Sequence, residues 1–372
     1  MGRLLPGHHC LTVRHIRLLV PGNIRHSSGG NVYNARLVAG LRALGAKVDV
    51  ISVEGDWPQA GATERRRLGT LLEGREPAAG PGRAVVVVDG LVAVGAPAEL
   101  ESAARTGQEI WVLVHMPVPE SSGKAALADE ARALRAASGV ICTSTWAATR
   151  LQERGLPQPG VALPGVEPAP LARGSQPPHL AYVAALLPNK DQVLAVEALA
   201  QVHDLPWTAS FVGSDHADPD YAREVRAAIT ENGLEDRVRL TGELAGEALD
   251  AEWARTDLSL LVSRQEAFGM AVTESLAHGI PVLVREGTGA VEALGLAGLK
   301  TASGGPLLPG AALPLPEGGQ ESPGRLAGVL RLWLEDAGTR ESWRATALEA
   351  RTRLPDWNST ARGVLALLSE RD

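Results

Sequence analysis

Two glutamates eight positions apart carry the most chemistry in this sequence. Glu266 and Glu274 lie in SRQEAFGMAVTESLAHGIPVL, residues 263–283, where Glu266 precedes a Phe-Gly turn and Gly279-Ile280-Pro281 stops the following helix. The preceding run LSLLVS reads as a buried strand, so Glu266 falls in the loop at a strand's carboxyl end. Glu274 then falls about one turn into the helix, with Ser263 a candidate N-cap. Both carboxylates can face one crevice, and the first helical amides, at Phe268, Gly269 and Met270, offer hydrogen-bond donors and a positive dipole end to an electron-rich ligand. A carboxylate beside free amides suits sugar hydroxyls, which both donate and accept. Plainer readings stay open: a capping-box acid for Glu266, and for Glu274 a carboxylate favoured by the helix dipole.

Parallel sheets must hold these residues. HIRLLVP, from His15, reads as a strand followed by a polar loop ending in Ser27, Ser28, Gly29 and Gly30, then by a helix over NVYNARLVAGLRALG and a strand KVDVISV. Strand, helix, strand predicts parallel pairing. AVVVVDG, IWVLVHM and GVICTS continue the series as near-continuous apolar runs, the pattern of strands covered on both faces. Between Leu163 and Pro178 five prolines interrupt regular structure and mark an interdomain linker. The alternation restarts with HLAYVAAL, TASFVGS, RVRLTG, LSLLVS and IPVLV, then passes through a Gly/Pro-rich stretch from Gly304 to Gly324 into two closing helical segments. The expected architecture is α/β, with two Rossmann-like parallel-sheet domains. Residues 1–15 read as a disordered leader, 16–170 as the first domain, 171–354 as the second and 355–372 as a final helix.

Composition narrows the function classes. The chain of 372 residues is 45% hydrophobic and 21% charged, as expected of globular domains. Its two cysteines, Cys10 and Cys142, show no ligand spacing, which excludes a disulfide framework and structural zinc and fits a reducing cytosol. No apolar run approaches the ~18 residues of a membrane span. Residues 1–170 hold 18 basic against 15 acidic residues (+3), whereas 171–372 hold 18 against 28 (−10), an asymmetry that fits either an anionic partner at the front half or random drift of surface charge. Arg65-Arg66-Arg67 offers a weak peripheral membrane contact, with a solvated charge run as the alternative. Nothing in this pattern fits a nucleic-acid partner.

The stretch at 263–283 resembles the E-x(7)-E signature of retaining glycosyltransferases of family 4, which have the GT-B fold. SSGGNVYNARLVAGLRALGAKV, LVHMPVP, TSTWAATRL, VALPGVEPAPL, LLPNKD and RVRLTGEL follow that family's order, nearest to actinobacterial members. The resemblance implies two domains facing a central cleft, with the helix in PDWNSTARGVLALLSERD crossing back and Trp357 anchoring it. It implies that Glu274 binds nucleotide ribose, that Glu266 lies against the donor sugar and that Lys190 neutralises the diphosphate. It places His115 near the donor sugar and Gly29 and Gly30 in a loop that lets substrate or phosphate approach backbone amides. Gly289 stands in a phosphate-facing turn. A surface lysine and a satisfied core histidine are the plain alternatives for Lys190 and His115. The chain departs from the family at Ala185, where many relatives have an arginine, at Thr288, where they have a glycine, and at Arg285, an unusual neighbour of that turn.

The implied activity is metal-independent transfer of a hexosyl unit from a nucleoside diphosphate sugar, itself the donor substrate with no further cofactor, to an acceptor hydroxyl with retained anomeric configuration. The acceptor, a small molecule, glycan or lipid, is not identified by the sequence. Alternatives are another GT-B activity, an epimerase or an inverting transferase, and a catalytically weakened nucleotide-sugar-binding protein. A two-domain NAD enzyme lacks its G-x-G-x-x-G after the first strand. The implied location is cytoplasmic, or peripheral at the inner face of the membrane.

Overall fold

A computed structural model of the chain describes residues 15–23, 28–73 and 84–369. The first sheet contains β1 (His15–Pro21), β2 (Lys47–Val53), β3 (Val85–Asp89), β4 (Ile110–Val114), β5 (Gly139–Cys142) and β6 (Gly160–Val161), all parallel in the order β2-β1-β3-β4-β5-β6. Between the strands run α1 (Gly29–Ala43), α2 (Ala62–Leu72), α3 (Gly90–Gly95), α4 (Pro97–Arg105), α5 (Gly123–Ala136) and α6 (Thr145–Glu153). Every residue of β3 and β4 is buried, because α1 covers one face of the sheet and α2 to α6 cover the other.

Residues 162–178, the proline-rich stretch, contain neither helix nor strand and lead into the second sheet. That sheet is β12-β11-β10-β7-β8-β9, again parallel, from β7 (His179–Val183), β8 (Thr208–Val212), β9 (Val238–Gly242), β10 (Leu258–Leu261), β11 (Val282–Arg285) and β12 (Gly310–Leu313). Its helices are α7 (Gln192–Ala200), α8 (Pro219–Glu231), α9 (Glu247–Arg255), α10 (Met270–Ala277), α11 (Ala290–Leu294), α12 (Ser322–Glu335) and α13 (Ala337–Arg351). The last helix, α14 (Trp357–Ser369), packs on α1 of the first domain.

Strand order fixes where a ligand can bind. The first sheet reverses direction between β1 and β3, and the second between β7 and β10. A crevice opens at the carboxyl ends of such strands, because the loops leave toward opposite faces. Gly29 and Gly30 follow β1, His115 follows β4, Lys190 follows β7 and Glu266 follows β10, so topology alone puts them on strand ends at or beside these reversals.

Three expectations change. The Gly/Pro-rich stretch at 304–324 contains β12, an edge strand whose Pro309 precedes it and so removes no ladder donor. Three helices close the chain rather than two, because Asp336 caps α13, its carboxylate accepting from the Gly338 and Thr339 amides at 3.1 Å, and so separates it from α12. The expected leader lies outside the described residues apart from His15, which opens β1. Ser27 and Cys10 also lie outside them, while Cys142 is a buried free thiol on β5. No described helix is long and apolar enough to cross a membrane.

The α1–α14 contact rests on small residues. Tyr33 stands edge-on to Trp357 at 5.6 Å between ring centres, and its hydroxyl donates to the Ala162 carbonyl at 2.9 Å. A Cβ on Gly40 would lie 2.8 Å from that of Ala361. Gly40→Val is therefore expected to destabilise the fold by about 1–3 kcal/mol. Gly363→Ala, on the same α14 where an added Cβ meets nothing, should stabilise it by about 0.5–1 kcal/mol. Urea denaturation followed by circular dichroism checks both signs.

Candidate active site

Gly269 decides how the double-glutamate stretch folds. Its backbone is left-handed (φ 86°), and a Cβ there would press on Leu261 at 2.9 Å, so the turn into α10 needs glycine. Gly269 rather than Ser263 is the N-cap, and it has no side chain to satisfy the first amides. Ser263 instead turns its hydroxyl toward the Glu266 carboxylate at 3.4 Å. The amides of Phe268, Gly269 and Met270 meet no acceptor among the described residues, so the positive end of α10 is left for a ligand. The Phe268 ring itself is buried in the core and contributes only its backbone.

Glu266 is held at both ends. Its carbonyl accepts the Gly289 amide at 2.7 Å, and its carboxylate accepts from Lys190 Nζ at 2.6 Å. Gly289 is thus a packing residue: its amide is already engaged, and any side chain would run into the Ala267 carbonyl. The turn expected to face a phosphate there offers no free donor at this residue. Thr288 is buried, with its hydroxyl donating to the Arg285 carbonyl at 2.9 Å.

Lys190 ends a short 3-10 turn after β7, where the Tyr182 hydroxyl donates to its carbonyl. The next residue, Asp191, is the only non-glycine with positive φ (57°) among the described residues, and it is buried. Its carboxylate is bracketed by Arg264 at 2.8 Å and by the buried guanidinium of Arg285. Arg285 also donates to the carbonyls of Val262, at 2.9 Å, and Leu315. The Arg264 amide donates to the Asn189 carbonyl at 2.8 Å, so the loops after β7, β10 and β11 are tied together under Lys190. Asp191 and Arg264 went unremarked in the sequence; a Lys-Asp pair after a strand was the available signal. Arg285 proves to be a structural cation.

The Glu274 carboxylate has no hydrogen-bond or ion-pair partner among the described residues. Burial pushes its carboxyl above the usual range, while Arg36 on α1 pulls the other way. Arg36 itself pairs with Glu167 at 2.8 Å. On the facing wall, His115 Nε2 lies 3.0 Å from Asn34 Oδ1 and 3.4 Å from Asp89 Oδ2. A Cβ on Gly30 would come within 3.2 Å of the His115 ring, and one on Gly29 within 3.9 Å of Met270 Sδ. The start of α1 therefore meets the start of α10 across the cleft, and two positive helix ends face the same space.

The lobes are clasped beside this point. The Glu292 carboxylate accepts the Thr145 and Trp146 amides at 3.0 Å, capping α6 from the other domain, and the Trp146 indole donates to the Gly287 carbonyl at 2.9 Å. A cavity of about 640 Å³ opens there, lined by Thr149, Arg150, Glu286 and Leu308 among others. Among the described residues no group of three or more His, Cys, Asp or Glu side chains is placed to hold a metal ion.

Two facing parallel sheets with a site at their reversals define the GT-B architecture of glycosyltransferases. Over 95% of the chain it superposes on sucrose-phosphate synthase from Thermosynechococcus elongatus (98% of that chain, TM-score 0.75, 19% identity). Over 96% it superposes on Anabaena Alr3699/HepE in complex with UDP and glucose (99% of that chain, TM-score 0.72, 18% identity). Residues 167–300 match the family of glycosyl transferases group 1. A D-inositol 3-phosphate glycosyltransferase of Jonesia denitrificans is 30% identical over 198 residues, which span 50% of this chain and 42% of that relative's length. The chain thus has the GT-B fold, and its residues 167–300 match the group 1 glycosyltransferase family.

Asp191→Ala would leave Arg285 buried and unpaired, with an expected loss of about 3–5 kcal/mol. Asp191→Ala combined with Arg285→Met removes that stranded charge and should recover part of the loss. Denaturant midpoints of the wild type and the two variants measure both effects.

Proposed function

We propose that the chain is a retaining, metal-independent glycosyltransferase that moves a hexosyl unit from a nucleoside diphosphate sugar to an acceptor hydroxyl. One observation carries the reading: an ion pair, Lys190 with Glu266, sits at the mouth of a helix whose first amides are unpartnered, with the unpaired Glu274 one turn further on. Each group has a task that it does not perform in the free protein. Lys190 leaves Glu266 for the diphosphate and stabilises the charge that builds on it, together with the helix amides. Glu266, released, accepts from hydroxyls of the hexose. Glu274 accepts from the ribose hydroxyls, which are neutral donors suited to a carboxylate in a poorly solvated place.

In the reaction the C1–oxygen bond to the diphosphate breaks and a C1–oxygen bond to the acceptor forms on the same face. The acceptor's proton passes to an oxygen of the departing phosphate. Glu266 orients the sugar and does not attack it. The clasp at Glu292 keeps the lobes together and excludes water, which would otherwise hydrolyse the donor. Solved relatives in this fold are described in complex with UDP and with UDP-glucose, which makes UDP-hexoses the first donors to test. The curated relative's name points to a phosphorylated polyol as the first acceptor to try. A cytoplasmic location, with weak peripheral contact to an anionic membrane through Arg66 and Arg67 on the exposed side of α2, belongs to the same proposal.

A thermal-shift panel of UDP, GDP, ADP and their sugars tests donor binding, because a ligand of the folded state raises the melting temperature. Product NMR tests retention, and a chelator tests metal independence. Lys190→Ala and Glu266→Ala are each expected to lower turnover by about 10²–10³-fold. No shift by any nucleotide would refute the reading.

Glu274→Gln should separate stability from function. The folded carboxyl titrates above its unfolded value, so its ionised form penalises the fold at neutral pH, and the penalty fades as pH falls through the folded pKa. The variant should therefore melt higher than wild type at pH 7, by a margin that shrinks on acidification, while losing nucleotide-dependent stabilisation. Melting curves across pH, with and without UDP, check this.

A further inference from the structure

Within that proposed reaction, whose reading it rests on, we propose that Asp89 and Asn34 are positioning residues that fix His115 as the Nε2–H tautomer, leaving Nδ1 to accept a hydrogen bond from a substrate hydroxyl in the cleft. The hydrogen bonds allow one assignment. Asn34 Nδ2 donates to Asp89 Oδ2 at 3.2 Å, which sets the amide's orientation and turns Asn34 Oδ1 toward His115. His115 Nε2 then faces two acceptors, that oxygen at 3.0 Å and Asp89 Oδ2 at 3.4 Å, so Nε2 carries the proton. The Cγ–Cδ2 edge of the ring lies against Gly30, where no side chain fits without displacing it, and the Tyr33 ring stands edge-on at 5.3 Å. Nδ1 is the one polar ring atom with no partner among the described residues.

Asp89 is built to impose this state. It ends β3 as a residue only 3% exposed, and no lysine or arginine pairs with it among the described residues. Burial pushes its carboxyl up, but the His115, Leu91 and Asn34 donors outweigh burial and hold it below the usual range. The other oxygen, Oδ1, accepts the Leu91 amide at 3.0 Å and caps α3, so the carboxylate cannot rotate away without losing the cap.

Asp89→Asn is the discriminating variant. It preserves volume, and its carbonyl oxygen can keep the cap, but it replaces the acceptor beside His115 with an N–H donor. The new N–H would face two donors, His115 Nε2–H and Asn34 Nδ2. The Asn34 amide therefore turns over, its Oδ1 accepting from the new amide and its Nδ2 donating to His115 Nε2, and the His115 proton moves to Nδ1. Long-range nitrogen–proton NMR on the whole chain labelled at histidine, at mildly alkaline pH, reads the tautomer, with His115→Gln assigning the signal. The expected result is Nε2–H in the wild type and a shift to Nδ1–H in Asp89→Asn, whose kcat/KM with the donor should fall about tenfold while its melting temperature stays within a few degrees. An Nδ1–H signal in the wild type, which needs no variant, or an unchanged tautomer in Asp89→Asn, would overturn the assignment. The NMR measurement needs no ligand: if no nucleotide sugar is turned over, the functional reading fails while the tautomer result still decides the geometry.

Discussion

One carboxylate organises the second domain's side of the cleft. Asp191 sits between two guanidiniums that come from different strands, Arg264 after β10 and Arg285 at the end of β11. It adopts a left-handed backbone that disfavours any residue with a Cβ by ~1 kcal/mol. Two charge-assisted contacts in a buried place outweigh that strain. The result is geometric: three loops at the carboxyl ends of β7, β10 and β11 cannot move independently, and Lys190, the residue before Asp191, is delivered to Glu266.

A second constraint comes from helix ends. α10 begins at a glycine and α1 begins at a pair of glycines, and the lack of side chains lets the two starts approach across the cleft. Positive dipole ends, Lys190 and Arg36 gather around a space whose acids are either paired, as Glu266, or poorly solvated and unpaired, as Glu274. Such a site is unfavourable for the free protein and favourable for a polyanion carrying hydroxyls. A carboxylate left unpaired in a poorly solvated place is a burden on the unliganded fold, and Glu274 is where that burden is visible.

How much of this the sequence discloses depends on the range of the interaction. Parallel sheets, the break near 165–178 and the strand-end positions of Lys190, Glu266 and His115 follow from local patterns: apolar runs of five residues, helical periodicity and proline spacing. The edge strand β12 was hidden, because GAAL lacks the β-branched residues that mark its neighbours. Residue preference points to Ser263 as the N-cap, whereas the Phe-Gly turn places the cap six residues later, at Gly269. Gly289 looked like part of a ligand turn, but packing against the Ala267 backbone explains the glycine. Asp191, Arg264 and Asp89 owe their importance to partners up to 94 positions away, and nothing in the spacing of one sequence announces such pairs.

The central claim is that Lys190 is paired with Glu266 in waiting for a diphosphate. Isothermal titration of UDP against uridine, on wild type and on Lys190→Gln, tests it directly, because the difference between the two ligands isolates the phosphates. The account predicts that wild type prefers the diphosphate by more than about tenfold and that the variant, still folded, loses most of that preference. An equal preference in both proteins would contradict it.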